Sequence, residues 1–282
     1  MNNEGALIAF TLLSQMVIGS VIIYTLAFFF NMDDILQLSS GFSLKTPEFL
    51  LLLGLLLAIL ISLIHLGRPA NAVNALNNLK TSWISREIFS VTLFSISLII
   101  LFIARWQDAG KTFLTVSFIL SAIAGILLLV SMVLLYMIPT VSTWNNWLTP
   151  MNFILTALIS GLVLMIVFAM AFNIELMRLK SILLVIMILL LFEIVHSGFL
   201  HSHLNELNYN HSNEFISEGI FKLFTIIRIA VIVPAILFLL FIAFRQKTEY
   251  TNTLLIASIS LIFMEMILGR LIFFATFLRI GI

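Results

Sequence analysis

Eight runs of mostly apolar residues, each close to the length needed to cross a bilayer as a helix, leave this chain few folds to choose from. They cover residues 6–30, 48–66, 86–104, 113–137, 150–172, 179–201, 218–244 and 252–278, against a requirement of about 20 residues per spanning helix. Within hydrocarbon no water is available to a peptide group, and a helix satisfies its N–H and C=O groups inside one segment. The expectation is an all-α integral membrane protein with eight transmembrane helices. It forms a single membrane domain over residues 1–282, with two four-helix bundles as the arrangement in view. Composition agrees: 62% of residues are hydrophobic and 10% charged, where soluble domains carry about 25% charged residues.

An even number of spans puts both termini on one face. With the termini outside, the inner loops collect Lys45, Arg105, Lys111, Arg178, Lys180, Arg245 and Lys247, while the outer loop between spans four and five has no Lys or Arg. The positive-inside bias therefore predicts N-out and C-out. The first apolar run is as long as a span and lacks a basic leader, so it reads as a retained segment rather than a cleaved signal peptide. The 14 basic and 13 acidic residues nearly balance, which argues against nucleic acid as a partner. With no cysteine in 282 residues, a Cys-ligated iron–sulfur cluster, a Cys-based zinc site and a thiol nucleophile are excluded from this chain.

One link runs against the charge bias. Residues 65–87, HLGRPANAVNALNNLKTSWISRE, carry Arg68, Lys80 and Arg86 on the outer side and place amide and ionisable groups between two greasy spans. Gly67 suits a left-handed cap for span two, and Pro69 suits the first position of a new helix. A short interfacial helix over about residues 70–80 is expected, with Ala72, Ala75, Leu76 and Leu79 on one stripe and Asn71, Asn74 and Asn78 on another. Trp83 fits an interface anchor. Ser82 or Ser85 is expected to cap span three, with Glu87 in its first turn.

Threading the spans in alternating directions brings most other ionisable residues to the same half of the membrane: Glu193, His196, Lys222, Arg228 and Arg270, with Glu265 nearer the middle. Charges at such depth face a bundle interior or water and pair with one another. Snorkelling and structural ion pairing account for such a layer too, Lys222 above all. Five residues separate Glu265 from Arg270, about 140° around a helix, so a direct pair is not expected. The uncharged linker IPTVSTWNNWLTP, residues 138–150, reads as an interfacial turn anchored by its tryptophans. The polar segment 202–217 reads as an outer loop. His201, His203 and His211 lie in or beside it without a spacing that implies metal ligation, and no metal site is expected. A two-histidine haem would have to use His65 and His196, and a di-iron carboxylate site would need a second Glu-x-x-His motif besides Glu193 and His196. Neither cofactor is expected.

His65 alone reads as a structural histidine, but its neighbours change the chemistry available. An imidazole can accept a proton from a bound hydroxyl, Arg68 can stabilise the anion left behind, and Glu87 can pass the proton on. Those parts suit oxidation of a lipid-soluble quinol. They serve equally in a proton or ion pathway, and a transporter relaying through Glu87, Glu193, Arg228 and Glu265 is the main alternative. A passive anchor without quinol chemistry is the third reading.

Four segments carry a family likeness: FTLLSQMVIGS (residues 10–20), HLGRPANAVNALNNLKTSWISREI (65–88), IPTVSTWNNWLTPMNFILTALISG (138–161) and EMILGRLIFF (265–274). In these the chain resembles the DmsC-type membrane anchor subunit of anaerobic dimethyl sulfoxide reductase, along essentially its whole length. The resemblance implies an eight-helix, haem-free, multi-pass subunit of the bacterial inner membrane. Such a subunit oxidises menaquinol and anchors a molybdopterin catalytic subunit and an iron–sulfur electron-transfer subunit. It also implies that the histidine and glutamate of the HLGRP and SREI motifs, here His65 and Glu87, belong to the quinol site. Arg68 and Arg86 are the next candidates, one for the developing quinol anion and one for the partner or Glu87.

Overall fold

A computed structural model describes residues 4–30, 46–65, 74, 76–171, 180–211, 218–244 and 250–276. Every expected span is a helix: α1 (Glu4–Phe29), α2 (Pro47–His65), α3 (Trp83–Trp106), α4 (Lys111–Tyr136), α5 (Leu148–Ala171), α6 (Lys180–His211), α7 (Glu218–Phe244) and α8 (Thr251–Ala275). Seven are long and apolar enough to cross a membrane; the apolar part of α2, Pro47–Leu63, is shorter. Large apolar side chains such as Ile96, Ile123, Ile188 and Leu237 are exposed along these helices. Exposed aliphatic surface on this scale belongs in lipid.

The chain forms two compact units, Met1–Leu135 with Ser160–Leu176, and Tyr136–Ile159 with Met177–Ile282. In the first, α1 packs on α2, and α2 on α3. The hydroxyls of Thr11, Ser20 and Thr25 bond back to carbonyls of α1 itself, so they enter the apolar interior without orphaned donors. Gly161 lets α5 approach α1 backbone to backbone, since a Cβ there would lie 2.3 Å from the carbonyl carbon of Gly19. Arg105, which the sequence places in an inner loop, is helical and donates from Nε to the buried Glu48 at 3.0 Å, joining the end of α3 to the start of α2. Asp108, at φ 47°, takes the left-handed conformation that turns the chain from α3 into α4.

The second unit is built on α6, α7, α8 and the first half of α5. Pro234 lies inside α7, where it removes one helical donor. Two expectations change here. Residues 202–211 extend α6 rather than looping out, because Leu200, Leu204 and Leu207 continue its apolar face and pack with Phe224 and Ile272. Trp144 is no interface anchor: its ring is 7% exposed, lies parallel to Phe273 at 5.1 Å and donates its indole N–H to the Phe273 carbonyl at 2.8 Å. The neighbouring Trp147, 56% exposed, fits the anchoring role.

Candidate functional site

The link between α2 and α3 places the first candidate. Its described part is a single 3-10 turn, Leu76–Asn78, followed by a turn that leads into Ser82. The side chain of His65, the cap and proline expected at Gly67 and Pro69, all of Arg68, and residues 70–73 and 75 of the expected interfacial helix lie outside the described residues. Ser82 caps α3 as expected, its extended backbone presenting a hydroxyl that accepts the amide N–H of Ser85 at 3.4 Å. This cap starts the helix at Trp83, so Glu87 stands one turn inside α3 rather than in its first turn.

Arg86 is fastened to the link. Its Nε donates to the Leu79 carbonyl at 2.9 Å and its Nη2 to the Lys80 carbonyl at 2.7 Å, while the guanidinium lies 4.0 Å over the Trp83 ring. The sequence offered Arg86 to the quinol anion, to the partner or to Glu87; among the described residues it is bound to the backbone just ahead of α3. A planar fork with several donors suits such a clamp better than an ammonium group does.

Within the first unit, a cavity of ≈ 470 Å³ opens beside Glu87, within the range of about 300–1,000 Å³ usual for small-molecule sites. Phe10 of α1, Leu63 of α2, Leu76 of the link and Ile96 of α3 supply apolar wall, and Glu87 supplies the carboxylate. The hydroxyls of Thr92 and Ser95, also at the wall, donate to the Ile88 and Val91 carbonyls of their own helix. Glu87 Oε1 is buried and has no hydrogen-bond partner among the described residues. An acceptor left unmet in an apolar cavity costs free energy until a donor arrives. His65 ends α2 two residues beyond the wall residue Leu63.

Sequence reasoning named the carboxylate and missed its surroundings. Phe10 lay in a quoted motif without a role, and Ser62 and Ser95, which also line the cavity, carried no signal. Small hydroxyl side chains in spans are ordinary, and only packing shows which face a void.

The remaining ionisable residues of the expected layer all belong to the second unit, Lys222 exposed and the others buried. Arg228 of α7 donates from Nε to Glu265 of α8 at 3.0 Å and from Nη2 to both Glu193 of α6 and Glu265. His196, one turn beyond Glu193, faces it at 3.5 Å. Arg270 lies 4.2 Å over the Phe153 ring. Gly269 makes room for the arginine, because a Cβ there would sit 2.8 Å from Arg228 Nη2. Among the described residues no group of three or more His, Cys, Asp or Glu side chains is placed to hold a metal ion; His201 contacts Asn205 and His203 contacts Asn146.

Comparison with known proteins decides the family. The family described as DMSO reductase anchor subunit (DmsC) matches residues 1–276. The chain belongs to the DmsC family. It is 31% identical over 167 residues to the anaerobic dimethyl sulfoxide reductase protein YnfH of Escherichia coli, an alignment covering 57% of this chain and 56% of that one. It is also 31% identical over 162 residues to one of the polypeptides of anaerobic dimethyl sulfoxide reductase from Haemophilus influenzae, covering 57% of each. The chain thus spans a little over half the length of these relatives. No solved structure matches it.

Proposed function

We propose that this DmsC-family chain is the quinol-oxidising membrane anchor of a dimethyl sulfoxide reductase-type complex. Menaquinol is its electron donor, and an iron–sulfur subunit receives the electrons and passes them to a molybdopterin subunit. The observation that carries the reading is the carboxylate oxygen of Glu87, without a hydrogen-bond partner among the described residues, at the wall of an apolar cavity. A quinol head group brings what that wall lacks, an O–H donor on an apolar ring. Thr92 and Ile96, exposed on α3, leave the cavity open along an apolar flank through which a ligand carried in lipid can enter.

Oxidation releases two electrons and two protons from the two hydroxyls. Glu87 accepts a hydrogen bond from one hydroxyl and takes its proton as the electrons leave; His65, at the end of α2, serves the other. The positive charge of Arg68 favours the anionic intermediate. Arg86 acts at one remove, holding the link against the start of α3. The family membership and the names of the relatives support the assignment of the partners.

The test is Glu87→Gln in the assembled complex. Removing a general base costs about 100-fold or more in rate, so quinol-dependent turnover should fall by that factor while the partner subunits stay membrane-bound and accept electrons from an artificial donor. Unchanged quinol oxidation in both Glu87→Gln and His65→Phe would leave the chain a passive anchor.

A further inference from the structure

The buried cluster of the second unit contains a contact that ion pairing alone does not explain. His196 is 1% exposed, and its Nε2 lies 3.1 Å from the carbonyl oxygen of Leu148. A carbonyl only accepts, so Nε2 carries a hydrogen. The other ring nitrogen, Nδ1, lies 3.5 Å from Glu193 Oε1 and makes no hydrogen bond among the described residues. With a neutral imidazole and an ionised carboxylate, two lone pairs would face each other in an apolar interior. A proton between them removes the conflict.

The surrounding charges leave room for that proton. Arg228 from α7 and Arg270 and Glu265 from α8 are the charged groups set around Glu193, with the Tyr136 hydroxyl near Arg270. Two guanidinium groups balance two carboxylates without any contribution from His196, so proton occupancy alone sets the net charge of the cluster. Glu193 Oε1 also accepts from Arg228 Nη2, which favours the ionised carboxylate and leaves His196 as the member of the pair that gains or loses the proton; Glu193 Oε2 is buried without a hydrogen-bond partner among the described residues. The ring itself is held in place from one side: Leu148, whose carbonyl it contacts, donates its N–H to Asn146 Oδ1 at 2.8 Å. Asn146 Nδ2 in turn reaches the half-buried His203, two turns further along α6, at 3.3 Å.

We propose that Glu193 and His196 form a proton-exchange site, in which one proton taken from water is held between Glu193 Oε1 and His196 Nδ1 and can be released again. The site lies in the second unit and uses none of the residues assigned to quinol. Balance is simple: uptake converts imidazole and carboxylate to an imidazolium–carboxylate pair, and release reverses it with no other bond changed.

Nitrogen-15 solid-state NMR of histidine-labelled full-length chain in lipid reads the state of His196 directly. Its resonances are assigned as those missing from His196→Gln, a variant whose amide can still donate to Leu148. Across the pH range in which the chain stays folded, His196 should pass, as pH rises, from imidazolium to the neutral form protonated on Nε2, in one step. Glu193→Gln should abolish that step and leave the ring neutral throughout, while Glu87→Gln should leave it unchanged. The infrared carboxylate band of the unaltered chain, assigned by its loss in Glu193→Gln, should change in the same pH range and keeps the test independent of how His196→Gln folds. A His196 signal and a carboxylate band constant across the range would make the cluster a fixed ion-pair lock and overturn the proposal. So would a step that survives Glu193→Gln.

Discussion

Three side chains show how differently a charge is accommodated in a chain of this kind. Glu87 Oε1 faces a cavity without a hydrogen-bond partner among the described residues, Arg86 is satisfied by two backbone carbonyls and a tryptophan face, and Arg228 is satisfied by two carboxylates. The last arrangement is the most demanding, because removing one partner leaves an uncompensated charge in the interior. Arg228→Ala should therefore lower the stability of the folded chain by about 3–5 kcal/mol. Gly269→Ala, which would push a Cβ to 2.8 Å from Arg228 Nη2, should cost about 1–3 kcal/mol as an overpacked site. Unfolding followed in detergent by denaturant titration checks both, and equal stability of Gly269→Ala and the unaltered chain would show that the guanidinium has room to move. Arg228→Lys keeps the charge but loses the fork that reaches both carboxylates, so it should fall between the unaltered chain and Arg228→Ala.

Among the elements, helix ends and helix contacts carry the functional consequences. The Ser82 cap decides where α3 begins, and through that which turn presents Glu87. Losing the cap costs about 1 kcal/mol, so Ser82→Ala should raise amide hydrogen exchange over residues 83–87 while the middle of α3 is unaffected. Uniform exchange along α3 in both proteins would show that the cap carries no weight. The approach of α1 and α5 at Gly161 has less tolerance, since the obstructing atoms are backbone rather than side chain. Gly161→Ala should therefore force the two helices apart and cost at least as much as Gly269→Ala, measured in the same unfolding series. The segment 202–211 carries a related lesson about elements. Its composition reads as loop, yet its leucines recur at helical spacing and keep it on α6.

At the scale of the molecule, the sidedness of the chain rests on α2. Its 19 residues give a length of about 28 Å, just short of the roughly 30 Å of hydrocarbon, and we propose that it crosses with its ends at the interfaces. Crossing would make the number of spans even and put both termini outside, the orientation that the basic residues of the expected inner loops predict. Reporter domains fused separately to the two termini should both be found outside; one inside and one outside would mean that α2 enters the membrane without crossing it. An outer position for the link between α2 and α3 would also put the Glu87 end of α3 at the outer face.

Much of this architecture was legible along the chain, because the rule that imposes it is local. A segment in lipid must satisfy its own backbone, so the eight apolar runs became helices, with ends close to those expected except where α6 continues through residues 202–211, and the absence of cysteine excluded thiol ligands without reference to any fold. The motif around residues 65–88 likewise pointed to the family that the whole-length match then showed. What sequence alone left open was every relation between helices. Arg228 finds its carboxylates 35 and 37 residues away, Trp144 leaves the interface to stack on Phe273, and Glu87 acquires a cavity whose walls come from three helices and a link. Hydropathy belongs to a stretch of sequence, whereas the partner of a buried charge and the shape of a void depend on which helix faces abut, and only tertiary packing decides that.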